Sequence, residues 1–426
     1  MSATFPHDAA TVIIGAGITG LCLARRLAAE GRSVVVLEAA GAPGGLLAPK
    51  LLRGVPVDAY YHHIFVSDGQ TRRLLANLGM EDALVWRTTS VALLNADGFH
   101  ALTTPLDVVR FRGLSFGDKA RLALLVQRAR SVRLSSLDHI LARDWATSLA
   151  GKEAWEGFLT PLVEAKFGAA APSVSAAWLA GRIGCRSTRT LGGERLGYLA
   201  SGFHTLIGRL VRDVESSLWC SDPATGLVVE AGRIVGVSVG AHTITCRDAV
   251  FTGGANALAR LLGDQAPSLL PGLSSLAFQG IVCGIFVVDA PARGAYWTNV
   301  TAPGAPFNVV VQQDLLVPLD GVRGVVYVSR YAEPETVSAM DADQELDAFQ
   351  HGLRTFFGID PATIVDRALA STDDAGIIYT TGTHAAINNL RPAVSGFHVA
   401  GMLTSFPDRS IEQSVASALD ARFHCS

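Results

Sequence analysis

The sequence predicts an α/β fold in which a parallel sheet flanked by helices is combined with an interleaved α+β region. Residues 11–38 carry a strand, a glycine-rich turn, a helix and a second strand. A further strand-to-helix junction follows at VFTGGANALARLL (250–262), and alternating apolar segments such as GIVCGIFVV and GVVYVSRY recur within 269–391. The first two patterns are typical of one parallel sheet, and the third indicates an antiparallel sheet.

The glycine-rich turn lies between the first strand and the first helix. The β-branched run at residues 11–14 enters G-x-G-x-x-G, with glycines at Gly15, Gly17 and Gly20, and the helix runs to about Glu30. The first glycine allows a tight turn, the second lets a pyrophosphate approach the backbone, and the third lets the helix pack closely on the strand. Phosphates then lie at a helix N-terminus, where free N–H groups and the helix dipole favour negative charge.

An acidic residue ends the second strand of this unit. The apolar run from Ser33 to Leu37 is followed by Glu38, about 20 residues beyond the glycines, where a carboxylate accepts ribose hydroxyls. Strand, helix, strand and acid together predict a Rossmann-like domain that binds a dinucleotide.

A second glycine pair, Gly44-Gly45, follows Glu38. This arrangement of G-x-G-x-x-G, acid and GG resembles the flavin-containing amine oxidase and protoporphyrinogen oxidase superfamily. The segment GFHVAGMLTSFPDRSIEQSVASALDAR (396–422) is similar to the closing segment of that family, in which a glycine lies at the flavin phosphate and a helix N-terminus faces the isoalloxazine ring. The resemblance implies FAD as the cofactor. It implies these cofactor-binding residues: Gly15, Gly17, Ile18, Thr19, Gly20, Glu38, Ala39, Gly44, Gly45, Leu46, Gly401, Met402 and Ile411.

One position departs from the family pattern. The family usually has Gly-Asp where this chain has Gly401-Met402. Because methionine cannot accept the same hydrogen bonds, that contact must come from water, backbone or another side chain. An ordinary strand and helix that complete the sheet are the alternative interpretation of the C-terminal segment.

The segment VDAYYHHIFVSD (57–68) contains the best catalytic candidate. His63-Ile64-Phe65 resembles the H-I-F segment of UDP-galactopyranose mutases, in which that histidine lies beside the flavin. The resemblance implies that His63 is an acid/base or a flavin partner; a hydrogen-bonded packing histidine is the alternative. On an extended segment His62 points the opposite way, so a shared metal is not expected and a structural role is favoured for it.

Two cations are further catalytic candidates. Amine oxidases hold a lysine near the flavin from the later substrate sheet, but residues 269–391 contain no lysine, which puts amine oxidation in doubt. Lys166 can replace it only if the fold brings it inward; otherwise it is solvated or salt-bridged. Arg409 precedes the C-terminal helix and meets an anionic substrate or the flavin edge; a surface salt bridge is the alternative.

Four polar or aromatic residues are candidates for lining the substrate site, with ordinary core packing as the alternative. They are Tyr198, Tyr296, Trp297 and Asn299.

A basic stretch covers residues 110–133. Its seven arginines and lysines stand against one acid, Asp118, with leucines between them. Such a helix can lie on an anionic membrane surface. The alternatives are a solvated helix that caps the substrate domain, or attraction of an anionic substrate.

Composition excludes several other classes of protein. The chain has 426 residues, 49% of them hydrophobic, and a net charge of -3, so a nucleic-acid partner is not expected. The six cysteines show no CxxC spacing, which predicts a reducing cytoplasm and no metal site. Neither a signal peptide nor a membrane span is expected, so the predicted location is cytoplasmic, with or without membrane association.

Two discontinuous domains are expected. Segments 1–62, 200–268 and 392–426 form the FAD-binding domain. Segments 63–199 and 269–391 form the α+β substrate-binding domain, the first mostly helical, with LTTPLDVVRF as a less regular patch. A second G-x-G-x-x-G after a strand is absent from the sequence, so no NAD(P)H domain is expected.

The predicted function is an FAD-dependent oxidoreductase acting on a small molecule. It removes hydride to form C=C, C=N or C=O, and oxygen or another acceptor reoxidises the flavin. A redox-neutral mutase or isomerase acting on a nucleotide sugar and a non-catalytic flavin-binding protein are the alternatives. The substrate and the oligomeric state do not follow from the sequence.

Overall fold

The computed structural model describes residues 6–185, 193–290, 294–407 and 410–420. Its strands, in chain order, are β1 (Asp8–Ile14), β2 (Val34–Glu38), β3 (Pro49–Leu52), β4 (Val55–Asp58), β5 (Ile64–Phe65), β6 (Leu84–Thr89), β7 (Val91–Asn95), β8 (Gly98–Ala101), β9 (Glu194–Leu199), β10 (Leu218–Cys220), β11 (Ala224–Glu230), β12 (Arg233–Val239), β13 (His242–Phe251), β14 (Phe278–Val288), β15 (Trp297–Val300), β16 (Val309–Gln312), β17 (Val325–Ala332), β18 (Ile364–Ile377) and β19 (Phe397–Val399).

The helices follow the same numbering. They are α1 (Ile18–Ala29), α2 (Gly69–Asn77), α3 (Pro105–Arg110), α4 (Phe116–Ser131), α5 (Ala142–Ala150), α6 (Lys152–Ala154), α7 (Thr160–Phe167), α8 (Ala176–Cys185), α9 (His204–Val214), α10 (Ala255–Leu262), α11 (Ala266–Leu269), α12 (Pro334–Ala339), α13 (Ala342–Phe357), α14 (Thr383–Asn388) and α15 (Ile411–Asp420).

The first sheet carries the predicted parallel core. Its order is β10-β2-β1-β13-β12-β11, and β19 also pairs with β13. Strand β1 runs parallel to both β2 and β13, with Ile14 opposite Leu37 on one side and Phe251 on the other. Such strands are buried on both faces, which explains their nearly continuous apolar sequences. The α/β prediction is confirmed, with β1, α1 and β2 close to their expected positions.

The second sheet is antiparallel except at one strand pair. Its order is β18-β14-β17-β16-β15-β7-β8, and only β15 and β7 run parallel. The antiparallel sheet predicted for 269–391 is therefore confirmed, but two of its strands come from the segment expected to be mostly helical. Strands β7 and β8 are short, and β7 pairs with residues some 200 positions later, such as Val91 with Trp297. Local periodicity cannot reveal such a long-range pairing.

The patch LTTPLDVVRF, expected to be irregular, contains helix α3. Thr104 and Asp107 form a capping box at its N-terminus, and Pro105 takes the first helical position. Both features favour the start of a helix, because proline needs no N–H there and the capping side chains satisfy free donors.

The two faces of the second sheet have different partners. Val282, Phe286 and Val328 pack on the hydrophobic face of α13. Because side chains alternate along a strand, Cys283 and Tyr327 point the other way, into the core shared with β1 and α1. This second face, called the inner face below, is the one that meets the segment containing His63.

The strands of the first sheet fall within 1–62, 200–268 and 392–426, and those of the second within 63–199 and 269–391. This distribution supports the predicted domain boundaries, which stay a prediction. Among the described residues, none of the helices is both long and apolar enough to span a membrane.

Candidate active site

The turn between β1 and α1 has the geometry of a phosphate-binding loop. Gly15 has φ +109°, and a Cβ on Gly20 would lie only 2.0 Å from the Gly15 carbonyl oxygen. A Cβ on Gly17, in contrast, would meet no heavy atom within 4 Å. Gly17 is also the N-cap of α1 and offers no side chain to cap it. The turn therefore presents open space and helix N–H groups, which suit an anion.

The second glycine pair lies beside this turn. Gly44 donates its N–H to the Ala16 carbonyl at 2.9 Å and forms a bridge with Gly17. Both Gly44 and Gly45 have positive φ, +134° and +56°. A loop with these angles needs glycine, because side chains are strained there. The two glycine motifs, separate in the sequence, thus form one surface.

Glu38 is oriented by two backbone groups. Its Oε2 accepts the N–H of Ala16 at 2.8 Å, and its Oε1 accepts the N–H of Ala40 at 2.9 Å. A carboxylate has about four acceptor sites, so this half-buried side chain keeps capacity for ribose hydroxyls.

The C-terminal loop closes against the start of α1. A Cβ on Gly401 would lie 2.8 Å from Thr19 Oγ1. The Gly401 N–H donates to Ser417 Oγ at 2.7 Å, and Thr404 Oγ1 donates to the Gly401 carbonyl at 3.0 Å. Hydroxyl groups therefore surround Gly401. Its neighbour Met402 stands where the family usually has aspartate. These side chains are candidates for the contact that methionine cannot make.

These elements fit FAD. The open space at Gly17 and the free helix N-terminus suit its pyrophosphate, and Glu38 suits its ribose. Gly401 and Ile411, the first residue of α15, would lie along the flavin end of the cofactor.

The sequence matches the family model of flavin containing amine oxidoreductases over residues 18–421. The chain belongs to this family. It is an FAD-dependent oxidoreductase that acts on a small-molecule substrate.

Similar proteins agree with this assignment. Hydroxyneurosporene desaturase from Rubrivivax gelatinosus is 26% identical, over 79% of this chain and 70% of the relative. A candidate protoporphyrinogen oxidase from Exiguobacterium sp. 255-15 has a similar structure, with a TM-score of 0.77 at 19% identity, covering 97% of this chain and 98% of that one. Reduced UDP-galactopyranose mutase has a TM-score of 0.75 at 15% identity, covering 97% and 94%. At these identities the two structures show the shared fold.

His63 lies against the inner face of the second sheet, beside β15. Its Nδ1 shares a hydrogen bond of 3.2 Å with the Tyr296 hydroxyl. The rings of Phe65 and Trp297 meet the imidazole edge-to-face, with centroids 5.2 Å and 5.8 Å away. Burial raises the pKa of Tyr296 well above its usual value, so its hydroxyl stays protonated at neutral pH. His63 is thus held by a neutral partner within an aromatic cluster.

A chain of hydrogen bonds connects the His63 segment to α15. The N–H of Phe65 donates to Asp68 at 2.9 Å, immediately before α2. Glu412, in the first turn of α15, accepts the N–H groups of Gln70 and Thr71 in the first turn of α2, at 2.9 Å and 2.8 Å. Burial and the nearby Glu412 charge, opposed by the Phe65 hydrogen bond, raise the pKa of Asp68 to about 6. The sequence analysis missed both acids, although an acid at a helix start is a known signal.

Asp58 is another residue that the sequence analysis missed. Its carboxylate is fully buried and accepts the Tyr198 hydroxyl at 2.7 Å and the N–H groups of Phe203 and His204 at 3.0 Å and 3.1 Å. Burial opposes ionisation, but the hydrogen bond from His204, the charge of His62 and the other donors outweigh it, so the pKa of Asp58 is lowered. Tyr198 therefore lies in the core rather than in the substrate site.

Trp297 and Asn299 lie on the inner face beside Tyr61. The indole Nε1 of Trp297 donates to Asn299 Oδ1 at 3.0 Å, and the rings of Tyr61 and Trp297 meet edge-to-face at 5.1 Å. The Tyr61 hydroxyl and Ser329 Oγ are 2.9 Å apart. Tyr61, His63 and Asn299 are only partly buried, so they border a space that solvent reaches.

Lys166 reaches the edge of the same face from the helical insert. Its Nζ lies 5.2 Å from the Trp178 ring, 5.7 Å from the Phe167 ring and 5.8 Å from the Tyr331 ring. The ammonium group is therefore surrounded by aromatic rings, which favour a cation. Arg409 lies outside the described residues.

Proposed function

We propose that the enzyme is a dehydrogenase that desaturates an apolar substrate, converting a CH–CH unit into C=C. His63 would accept the proton from the carbon next to the one that loses hydride. FAD, when bound, supplies the two-electron acceptor for this reaction, and oxygen or another acceptor then reoxidises it.

The observation that carries this proposal is the composition of the inner face. The strand register places these residues on it: Ile281, Cys283 and Ile285 of β14, Tyr327, Ser329 and Tyr331 of β17, Ala368, Ala370 and Thr372 of β18, Val309 and Val311 of β16, and Trp297 and Asn299 of β15. These positions carry neither acids nor bases, and Asp366, which follows the same register opposite Val287 at the end of β18, accepts the N–H of Arg53 at 2.6 Å. Arg330 points to the opposite face, where it pairs with Glu345 at 2.7 Å. Cys283, Ile285 and Tyr327 are fully buried in the core, whereas Asn299, Val309 and Tyr331 are half-buried and can contact a substrate. A site bordered by such a face suits an apolar substrate.

The hydroxyl groups on this face already have partners. Ser329 and Tyr61 bond to each other, and the Tyr327 hydroxyl donates to the Asp58 carbonyl at 2.9 Å. Groups that are satisfied within the protein add little to the binding of a polar substrate. Desaturation needs no polar group at the reacting carbons, which agrees with this arrangement.

His63 is the proposed proton acceptor. Its Nδ1 bonds to the neutral Tyr296 hydroxyl, which fixes the orientation of the imidazole ring. A positioned histidine is the commonest acid/base in enzymes. The connection through Asp68 and Glu412 holds its segment at a fixed position relative to α15, whose N-terminus would face the flavin.

Amine oxidation is less well supported. The inner face lacks a lysine because residues 269–391 contain none. Lys166 approaches from the insert, but its ammonium group lies over three rings and would repel an ammonium substrate. We propose that Lys166 marks one end of the substrate site. The name of the Rubrivivax relative, a desaturase, also supports C=C formation.

The redox-neutral mutase is the second candidate, because the H-I-F segment resembles that of UDP-galactopyranose mutases and His63 contacts the inner face. A nucleotide sugar carries a diphosphate, which proteins usually bind with arginine. The described residues of the inner face provide no arginine, which favours the desaturase.

Product analysis distinguishes these functions. The holoenzyme is incubated with a long apolar polyene in micelles, with a primary alkyl amine, and with UDP-galactopyranose after chemical reduction of the flavin. We expect only the polyene to react. Mass spectrometry should show that its product has lost two hydrogen atoms. Formation of an aldehyde from the amine, or isomerisation of the sugar, would contradict the proposal.

A further inference from the structure

An exposed surface formed by α3 and α4 combines apolar and basic side chains. Leu106, Val109, Phe116 and Leu124 are 52%, 46%, 79% and 52% exposed. Large apolar side chains exposed together mark an interaction site more often than single ones do. We propose that this surface, the docking patch, binds the enzyme to the surface of an anionic lipid bilayer.

The charge of the docking patch is positive. Arg110, Arg112, Arg128, Arg130 and Arg133 are exposed around the apolar side chains. In the described part of the chain, Arg121 is the one basic residue of 105–133 that forms an ion pair with a carboxylate, Asp118 at 3.4 Å. Basic clusters next to apolar side chains are attracted to anionic lipid headgroups.

The two acids of the same stretch are bound within the protein. Asp107 accepts the N–H of Thr104 at 2.7 Å, and the Asp118 carboxylate accepts the Ser115 hydroxyl. Each acid thus stabilises the start of its own helix. Asp118 is also buried, so Asp107, whose charge interacts with Arg110, is the acid of this stretch that partly offsets the exposed arginines.

The leucines of α4 divide between the core and the surface. Leu122 and Leu125, two of the leucines between the basic residues, are buried in the helical insert and are not available to a membrane. Phe116, Ala120 and Leu124 follow one another at spacings of four residues on the outer face. The side chains available to a bilayer are therefore Phe116 and Leu124 together with Leu106 and Val109 of α3.

Several contacts hold the patch in one arrangement. Thr104 caps α3, and Ser115 caps α4. Lys119 donates from Nζ to the Val109 carbonyl at 2.7 Å and lies 5.2 Å from the Phe116 ring. The two helices are thus joined to each other, so binding requires little additional ordering.

The docking patch is connected to the substrate side of the molecule. Phe111, between α3 and α4, packs edge-to-face on Phe158 with centroids 5.6 Å apart. The π-helical turn of Phe158 leads directly into α7. Helix α7 carries Lys166 to Tyr331, at the edge of the inner face. A bilayer on the patch would therefore lie one helix away from the edge of the inner face, which suits delivery of an apolar molecule.

Vesicle cosedimentation of the full-length holoenzyme tests the proposal. The probes are phosphatidylcholine vesicles with and without about one third phosphatidylglycerol. We expect binding to the anionic vesicles only, weakened by salt.

The double variant Arg128→Gln/Arg130→Gln should bind more weakly by about fivefold for each charge removed. The double variant Phe116→Ser/Leu124→Ser should also bind weakly, whereas Leu51→Ser, which changes a side chain that is 72% exposed on β3, should bind as wild type.

The proposal fails if the wild type does not sediment with anionic vesicles, or if the patch variants bind as well as Leu51→Ser does. A concentration-dependent dimer that Phe116→Ser abolishes, without vesicle binding, would instead assign the patch to a second copy of the chain. Circular dichroism and flavin content confirm that each variant is folded. Because the experiment measures vesicle binding, failure of the docking proposal is distinguishable from failure of the proposed desaturase activity.

Discussion

The Tyr198 hydroxyl donates a 2.7 Å hydrogen bond to the Asp58 carboxylate, across 140 residues of sequence. Tyr327 donates to the same residue at 2.9 Å, but to its backbone carbonyl. These three residues connect β9, β4 and β17, and Asp58 immediately precedes the segment that leads to His63. The position of the catalytic candidate therefore depends on a buried charge.

Removing one hydrogen-bond donor to the Asp58 carboxylate should destabilise the fold. We expect Tyr198→Phe to lower the free energy of unfolding by about 1.5–3 kcal/mol, because its acceptor is ionised. Tyr327→Phe is the matched control and should cost about 0.5–1.5 kcal/mol, because its acceptor is a neutral carbonyl. Urea denaturation measures both. Equal losses would contradict an ionised Asp58.

The same charge predicts an acid-dependent loss of stability. The pKa of Asp58 is lower in the folded protein than in the unfolded chain, where it is about 3.9. Its stabilisation is therefore complete above that pH and is lost as pH falls through the folded pKa. The stability difference between wild type and Asp58→Asn should narrow below about pH 4. A difference that stays constant in acid would contradict this account.

Asp68 should give the stability of the protein the opposite pH dependence from that given by Asp58. Its folded pKa of about 6 lies above the unfolded value, so its protonated form is favoured by folding. Stability contributed by protonation is complete below about pH 4 and is lost as pH rises through 6. We expect Asp68→Asn, which keeps an acceptor for the Phe65 N–H, to be more stable than wild type by roughly 1–3 kcal/mol at pH 8 and to lose that advantage at pH 4. Thermal unfolding at both pH values measures the effect, and an advantage at pH 4 alone would contradict it.

Two glycines of one motif should respond differently to the same substitution. A Cβ at Gly20 would lie 2.0 Å from the Gly15 carbonyl, so Gly20→Ala should lower the free energy of unfolding by about 1–3 kcal/mol or more. A Cβ at Gly17 meets no protein atom within 4 Å and should leave stability unchanged. It would nevertheless enter the space proposed for the pyrophosphate, and we expect FAD affinity to fall roughly tenfold, about 1.4 kcal/mol. Flavin titration of the apoprotein tests this; unchanged affinity would place the cofactor elsewhere.

Adjacent histidines provide a matched pair for catalysis. We expect His63→Asn to lower kcat by about 10²–10⁴-fold, because a positioned acid/base contributes that much. His62 bonds through Nδ1 to the Tyr60 carbonyl at 2.8 Å and packs against Phe203, away from the inner face. His62→Asn should therefore keep kcat near the wild-type value, with a small loss of stability. If the two variants lose activity equally, His63 has no special role.

The parts of the molecule that could be predicted from the sequence are those governed by local rules. The turn from Gly15 to Gly20 requires glycine at fixed spacing, and buried parallel strands need continuous apolar runs, so β1, α1 and β2 were recognisable. A family resemblance implied that Gly44 and Gly45 bind the cofactor, whereas their contact with Gly17 was not predicted.

The features that were missed depend on distant partners. Asp58 looks like any acid in a loop until Tyr198, Phe203 and His204 are brought to it. Segment 91–95 forms strand β7 because it pairs with β15, about 200 residues later in the chain. Helix α3 is the exception, since Thr104, Pro105 and Asp107 together form a local start signal that the sequence analysis did not use.

An anaerobic visible spectrum of the purified protein, with and without an apolar polyene, tests the central claim most directly. We expect the bands of oxidised flavin before addition, their loss when the polyene is added, and their return on exposure to an electron acceptor. Flavin bands that persist with the polyene, and turnover only after chemical reduction of the flavin, would contradict the account.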